Sequence, residues 1–214
     1  MTNRTAVILA GGRGIRIGRN IKALLRMGNK TLIQIVLENI QPLVDQTIVV
    51  IGKDSSEETF RKILPRSVEL LRDEGNGEGA LVGLLTGFRK AKSEYSLALP
   101  CDSPFTSAKV IELLFTEAQN MDAAIPLWPN GFIEPLHAVY KTKNAREGSE
   151  SALKKGDRIR DMIKLLRRVR YIPTEDIRKI DPELLTFYNI NSHSDFEQAT
   201  TIFSTNQSLA ISRV

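Results

Sequence analysis

Cysteine and histidine are nearly absent from this chain, which has Cys101 and two histidines among 214 residues. A lone cysteine excludes an internal disulfide and a cysteine-rich zinc site, and it agrees with a reducing compartment. With two histidines and no HExxH pair, a transition-metal centre has few ligands to draw on. Aromatic residues make up 6%, and the densest basic stretch, Lys164 to Arg170, reads as helix surface, so nucleic acid is not an expected partner. No apolar run approaches the roughly 18 residues needed to span a bilayer. Met1-Thr2-Asn3-Arg4 leads into a short apolar stretch without the longer apolar region of a signal peptide. The expectation is a cytoplasmic protein that uses neither a membrane nor a nucleic acid.

What is present suits one globular domain spanning 1–214, with a polar, unpatterned stretch from Ser204 to Val214 that reads as a tail able to fray. Apolar residues reach 42%, and 30 Lys and Arg face 25 Asp and Glu. The formal charge of +5 favours solubility and is compatible with anionic ligands. Short Val, Ile and Leu runs at 6–10, 47–51, 68–71 and 95–99 predict buried strands, with further strands at 123–126, 135–141 and 186–190. Between them the apolar spacing predicts helices at 31–44, 56–63, 80–91, 107–120, 144–155, 159–168 and 194–203. Strand and helix alternate without an internal repeat, which predicts an α/β, Rossmann-like three-layer fold with a mostly parallel mixed sheet. Ligands should then gather where loops leave the carboxyl ends of strands.

One such loop has the composition of a phosphate site. Leu9-Ala10-Gly11-Gly12-Arg13-Gly14-Ile15-Arg16-Ile17-Gly18-Arg19-Asn20-Ile21-Lys22 sets four glycines and four cations directly after the first strand. Glycine lets backbone N–H groups approach an anion, and Arg or Lys adds charge to the hydrogen bonds. Neither Walker A nor the dinucleotide GxGxxG pattern is satisfied, because Lys22 precedes Ala23 and the third glycine position holds Ile17. A second candidate is Asp102, which follows the predicted strand 95–99 and a Pro-Cys step. There a carboxylate can hold Mg²⁺ against phosphate oxygens, or serve a turn or the start of the following helix.

The run LAGGRGIRIGRNIKALL resembles the LAGGxxxRMGxxKaLl signature of small nucleotidyltransferases, and most closely that of the molybdenum cofactor guanylyltransferase (MobA) family. Five further segments resemble that family in the same order: GNKTL at 28–32, Asp73 with GALVG at 79–83, LPCDSPF at 99–105, EPLHAVY at 134–140 and NINS at 189–192. The chain departs from the pattern at Ile21, where an acidic residue is usual, and at Ile51-Gly52-Lys53, where an asparagine can stand near the nucleotide.

The resemblance implies transfer of GMP from GTP to the phosphate of molybdopterin, with Mg²⁺ as cofactor and, for so labile a product, a cofactor delivery protein as a plausible partner. It implies that Leu9, Ala10 and Gly11 contact the base, and that Gly11, Gly12 and Gly14 cradle phosphate. Arg16 and Lys22 then offset charge on the triphosphate, Asp73 touches the nucleotide, and Asp102 holds the metal with Asn191. Asn191 also suits a cap for the helix that follows. His137 and Asn189 are implied for the pterin, with a structural strand position as the alternative for His137. Trp128 reads as a loop aromatic over the core, Arg158 and Arg160 as surface residues, and Cys101 as a small buried side chain. Cytidylyl transfer to molybdopterin, guanylyl transfer to adenosylcobinamide phosphate, and a catalytically silent nucleotide binder remain open as alternatives.

Overall fold

The structure is a computed structural model that describes residues 3–11, 21–73, 79–156 and 158–211. Its centre is β1 (Arg4–Leu9), whose six residues are flanked on both sides by parallel neighbours, β4 (Gln46–Ile51) and β6 (Tyr95–Pro100). Around them stand β5 (Glu69–Arg72), β7 (Ala123–Leu127), β8 (Ala138–Lys141) and β9 (Val169–Pro173), giving the sheet order β5-β4-β1-β6-β8-β7-β9. Only β8 runs antiparallel, against both β6 and β7. A short hairpin of β2 (Arg26–Met27) and β3 (Lys30–Thr31) lies apart from this sheet.

Alternation along the strands builds two cores from one sheet. Ala6, Ile8, Val49 and Ile51 face α1 (Leu32–Ile40), α2 (Glu57–Arg61) and α4 (Ala108–Glu117). Val7, Ile48 and Val50 face α3 (Ala80–Lys90), α5 (Thr142–Ala152) and α6 (Ile159–Lys164) on the other side. A strand buried on both faces has no polar side to display, which is why β1 and β4 are continuous apolar runs. The three-layer, mostly parallel α/β architecture expected from the sequence is thus present. Thr31 starts α1 through a capping box with Gln34, whose side-chain oxygen accepts the Thr31 N–H at 2.9 Å.

Several local expectations need correction. Residues 186–190 are not a strand: Leu185–Phe187 form one turn of 3-10 helix after Leu184 at φ 52°. The Asp181 carboxylate accepts the N–H groups of Leu185 and Thr186 at 3.1 and 2.8 Å, so the backbone is satisfied locally rather than by a ladder. The helix predicted at 159–168 stops at Lys164, and β9 follows it as an exposed-edge strand paired with β7. That pairing is fixed by Asp122, which is buried and accepts from the backbone N–H groups of Arg167 and Arg168 at 2.8 and 3.0 Å and from the Asn144 amide at 2.8 Å. Burial pushes the Asp122 carboxyl up, but these backbone and amide donors together hold it below its ordinary range. The strand predicted at 135–141 begins only at Ala138, because His137 N–H closes a turn onto the Glu134 carbonyl at 3.1 Å. The helix predicted at 31–44 ends at Ile40 and continues as a turn of 3-10 helix carrying Pro42. After the single turn α7 (Thr174–Ile177), the last helix, α8 (His193–Ile211), runs past the end the pattern gives it at 203.

Candidate active site

The connection from β1 leads to β4 on one side, while the chain leaving β5 crosses back to place β6 on the other. The crevice at such a switch point, beyond the carboxyl ends of the strands, is where α/β sheets hold ligands. Here it opens into a cleft of about 610 Å³. One wall is made by Leu9 at the end of β1 and Gly11 beyond it, Gly52 after β4, Asp73 after β5 and the first turn of α3. Gly11 and Gly52 touch backbone to backbone: a Cβ on Gly11 would stand 3.0 Å from the Gly52 nitrogen. The Leu9 carbonyl accepts from Cys101 N–H at 3.1 Å, and the Ala10 N–H donates to the Val50 carbonyl at 2.8 Å. Gly79 enters α3 at φ 127°, a conformation that favours glycine, and turns the helix N-terminus toward the cleft. The Asp73 N–H is tied to the Ile51 carbonyl at 2.9 Å, and the Thr86 hydroxyl stands 3.5 Å from Asp73 Oδ1.

At the switch point itself Lys22, Asp102 and Asn191 converge, although 80 and 169 residues separate the lysine from its partners. Lys22 Nζ donates to Asp102 Oδ2 at 2.7 Å and to Asn191 Oδ1 at 2.8 Å. The Lys22 and Asp102 side chains are 16% and 13% exposed, so the pair is largely withdrawn from water yet still open to the cleft. The local chain explains why Asn191 is available. Ser192 Oγ accepts the Asp195 N–H at 3.1 Å while Asp195 Oδ2 accepts the N–H groups of Asn191 and Ser192, so α8 is capped without the Asn191 side chain. Asp102 is likewise not a helix cap, since α4 begins at Ala108, and its carbonyl accepts the Ile190 N–H at 3.0 Å. That bond clamps the 189–191 segment to the Asp102 turn.

Behind this centre lies a buried polar row. His137, 1% exposed, places Nε2 2.9 Å from Ser103 Oγ, and the Ser103 hydroxyl donates to Asn189 Oδ1. Burial pulls the His137 imidazole down to about 3, so the ring is neutral at physiological pH. Its edge meets the Phe187 ring with centroids 5.4 Å apart. Trp128 packs edge-on against the same Phe187 and donates its indole N–H to Glu134 at 2.7 Å, as a loop aromatic covering the core. Cys101 is buried, and desolvation followed by the Asp102 charge pushes its thiol up, which leaves it inert.

Of the residues expected from the sequence, Leu9, Gly11, Lys22, Asp73, Asp102, His137, Asn189 and Asn191 all line this one cleft. Ala10 is buried beside it, while Gly12, Gly14 and Arg16 lie outside the described residues. The sequence alone missed Gly52, Ser103, Phe132, Glu134 and Leu136. Gly52 carried a signal, a glycine directly after a buried strand, whereas Phe132 and Leu136 are ordinary apolar residues in a loop. Arg160 stands with its guanidinium 5.9 Å from the Phe132 ring at the rim.

Comparison with known proteins gives the same reading of the whole chain. Residues 6–170 match the family described as MobA-like NTP transferase domain. A probable molybdenum cofactor guanylyltransferase of Methanosarcina mazei is 37% identical over 199 residues, covering 91% of this chain and 88% of the relative. A molybdenum cofactor guanylyltransferase of Desulfosudis oleivorans is 31% identical over 91% of this chain and 93% of its own length. Among solved structures, molybdopterin-guanine dinucleotide biosynthesis protein A from Archaeoglobus fulgidus superposes with a TM-score of 0.79 at 31% identity, covering 94% of this chain and 99% of that one. With its sheet order, its cleft and these relatives in agreement, the chain belongs to the MobA-like NTP transferase family.

Proposed function

We propose that this protein transfers the GMP portion of GTP to the phosphate of molybdopterin, giving molybdopterin guanine dinucleotide and pyrophosphate. Relatives carrying that guanylyltransferase name at 31–37% identity support the reading. The observation that carries it is the Lys22 ammonium, fixed at 2.7 and 2.8 Å by Asp102 and Asn191 beside the turn after β1. In the reaction an oxygen of the acceptor phosphate forms a bond to the α-phosphorus of GTP. The bond from that phosphorus to the oxygen bridging the β-phosphate breaks, and pyrophosphate leaves with the electron pair. A phosphate is already anionic at neutral pH, so no strong base is needed. The task is to bring two anions together and to stabilise charge as it builds on the α-phosphate and the leaving group.

In this scheme Lys22 supplies the charge, and the Gly11 turn with Gly12, Gly14 and Arg16 grips the triphosphate. The α3 N-terminus, through its backbone N–H groups and dipole, favours negative charge on the same wall. With the Leu9 carbonyl and Ala10 N–H taken up by the sheet, guanine contacts fall to the Ala10 carbonyl and the Gly11 amide. Asp73 faces the nucleotide side, while His137 and Asn189 stand on the acceptor side.

Asp102 and Asn191 fit Mg²⁺ in their chemistry: a carboxylate and an amide oxygen that already converge on one cation, the Lys22 ammonium. Mg²⁺ commonly takes one or two protein oxygens and completes its shell with phosphates and water. Such an ion would neutralise phosphate charge at this point. The test is to follow label from GTP with purified protein, Mg²⁺ and molybdopterin. Label at the α-phosphate should move into the pterin product, and label at the γ-phosphate into pyrophosphate; α-label released as free GMP would contradict the transfer.

A further inference from the structure

The buried row from His137 through Ser103 to Asn189 has a proton inventory that fixes its direction. Ser103, wholly buried, has one hydroxyl proton and two polar neighbours: His137 Nε2 at 2.9 Å and the Asn189 amide at 2.5 Å. The amide atom that meets the hydroxyl is the oxygen Oδ1, which can only accept. The hydroxyl proton therefore goes to Asn189 Oδ1. His137 Nε2 is then left facing an oxygen that has no second proton to give, so it must itself be the donor. Because the neutral ring carries one N–H, Nδ1 is bare. Nδ1 is buried and makes no hydrogen bond, with the nearest Glu134 carboxylate oxygen 3.8 Å away. A proton on Nδ1 would be an orphaned buried donor beside a carboxylate it fails to reach; a bare nitrogen there is the less costly state.

We infer that Ser103 is a positioning residue that holds the Asn189 amide with its oxygen turned inward and its NH₂ group turned into the cleft, so that the second substrate is met there by a hydrogen-bond donor and must offer an acceptor: a ring carbonyl, a ring nitrogen or a phosphate oxygen. Asn189 lines the cleft, and no bond to its Nδ2 is made among the described residues. The carboxamide has two faces of opposite character, and without Ser103 it could present either. The inference rests on the proposed transfer reaction only for the identity of the second substrate. Its structural half concerns the free protein.

The tautomer is therefore read first, from ¹⁵N chemical shifts of protein carrying ¹⁵N-histidine, with His137 and His193 told apart by His137→Gln. Protonated Nε2 and bare Nδ1 in His137 is the expected result. Protonated Nδ1 would overturn the inference, since the Ser103 proton would then point to the imidazole and the amide would turn its carbonyl to the cleft. No nucleotide or pterin is needed, so this outcome is separate from the fate of the guanylyl transfer reading. Steady-state kinetics then test the consequence. Ser103→Ala should raise KM for molybdopterin about tenfold, the scale of one lost hydrogen bond, while KM for GTP changes less than about twofold. Asn189→Asp replaces the donor with an acceptor and should raise KM for molybdopterin further. Equal changes in both KM values for Ser103→Ala, or unimpaired molybdopterin binding in Asn189→Asp, would overturn the assignment.

Discussion

Lys22 is the residue on which the site turns, because one ammonium group joins a turn after β6 to the segment before α8. In the scheme above its charge acts on the triphosphate as the reaction proceeds, so Lys22→Ala should lower kcat about 10²–10³-fold, the usual scale for losing one preorganised electrostatic group. The fold should stay intact, with a lowered midpoint of thermal unfolding because the Asp102 carboxylate loses its partner; turnover near that of the unaltered protein, measured below that midpoint, would remove Lys22 from the chemistry. His137 makes a different prediction, about pH. Its pKa falls from 6.5 to about 3 on burial, so between these values the unfolded chain binds a proton that the folded chain refuses. Stability from this group is full above about 6.5 and is lost as pH falls toward 3, at up to about 1.4 kcal/mol per pH unit. Urea midpoints from pH 7 to pH 4 should show that slope, and His137→Gln, less stable at pH 7, should show a shallower one. An unchanged slope would mean that His137 does not stay neutral in the fold.

At the scale of elements, the sheet and α3 meet without a spare ångström. A Cβ added at Gly87 would collide with Val7 Cγ1 and stand 3.0 Å from Val7 Cγ2, and Val7 is a fully buried core side chain with no solvent to move into. Gly87→Ala should destabilise the protein by about 1–3 kcal/mol, the usual cost of overpacking, and Val7→Ala in the same chain should recover part of it. Denaturant unfolding of the two single variants and the double one measures this; additive losses would mean that α3 shifts away from β1. The same elements show what the sequence made legible. β1, β4 and β6 are buried on both faces and so declare themselves as apolar runs. β9 does not, because it sits at the sheet edge with Arg170 and Tyr171 outward, and its place depends on Asp122 reaching across from 45 residues away. The turn at Leu185–Phe187 has strand-like composition, and only the Asp181 cap, a side-chain effect invisible to periodicity, makes it helical.

Across the whole molecule, residues from almost every part of the chain reach a single cleft at the topological switch point of the sheet. The motif residues Leu9, Lys22, Asp73, Asp102 and Asn191 were legible because their resemblance to a known family is ordered along the chain and because each lies at or near the end of a strand or the start of a helical turn. Ser103 and Glu134 were not, since a serine after an aspartate or a glutamate before a proline has no meaning until folding sets it beside His137. No helix among the described residues is long and apolar enough to cross a membrane. The central claim, that the cleft joins a guanine nucleotide to a pterin phosphate, is tested most directly by pyrophosphate release from purified protein with Mg²⁺, comparing GTP with CTP, each with and without molybdopterin. The account predicts release with GTP that requires the pterin; release that prefers CTP, or that fails with GTP and molybdopterin together, would contradict it.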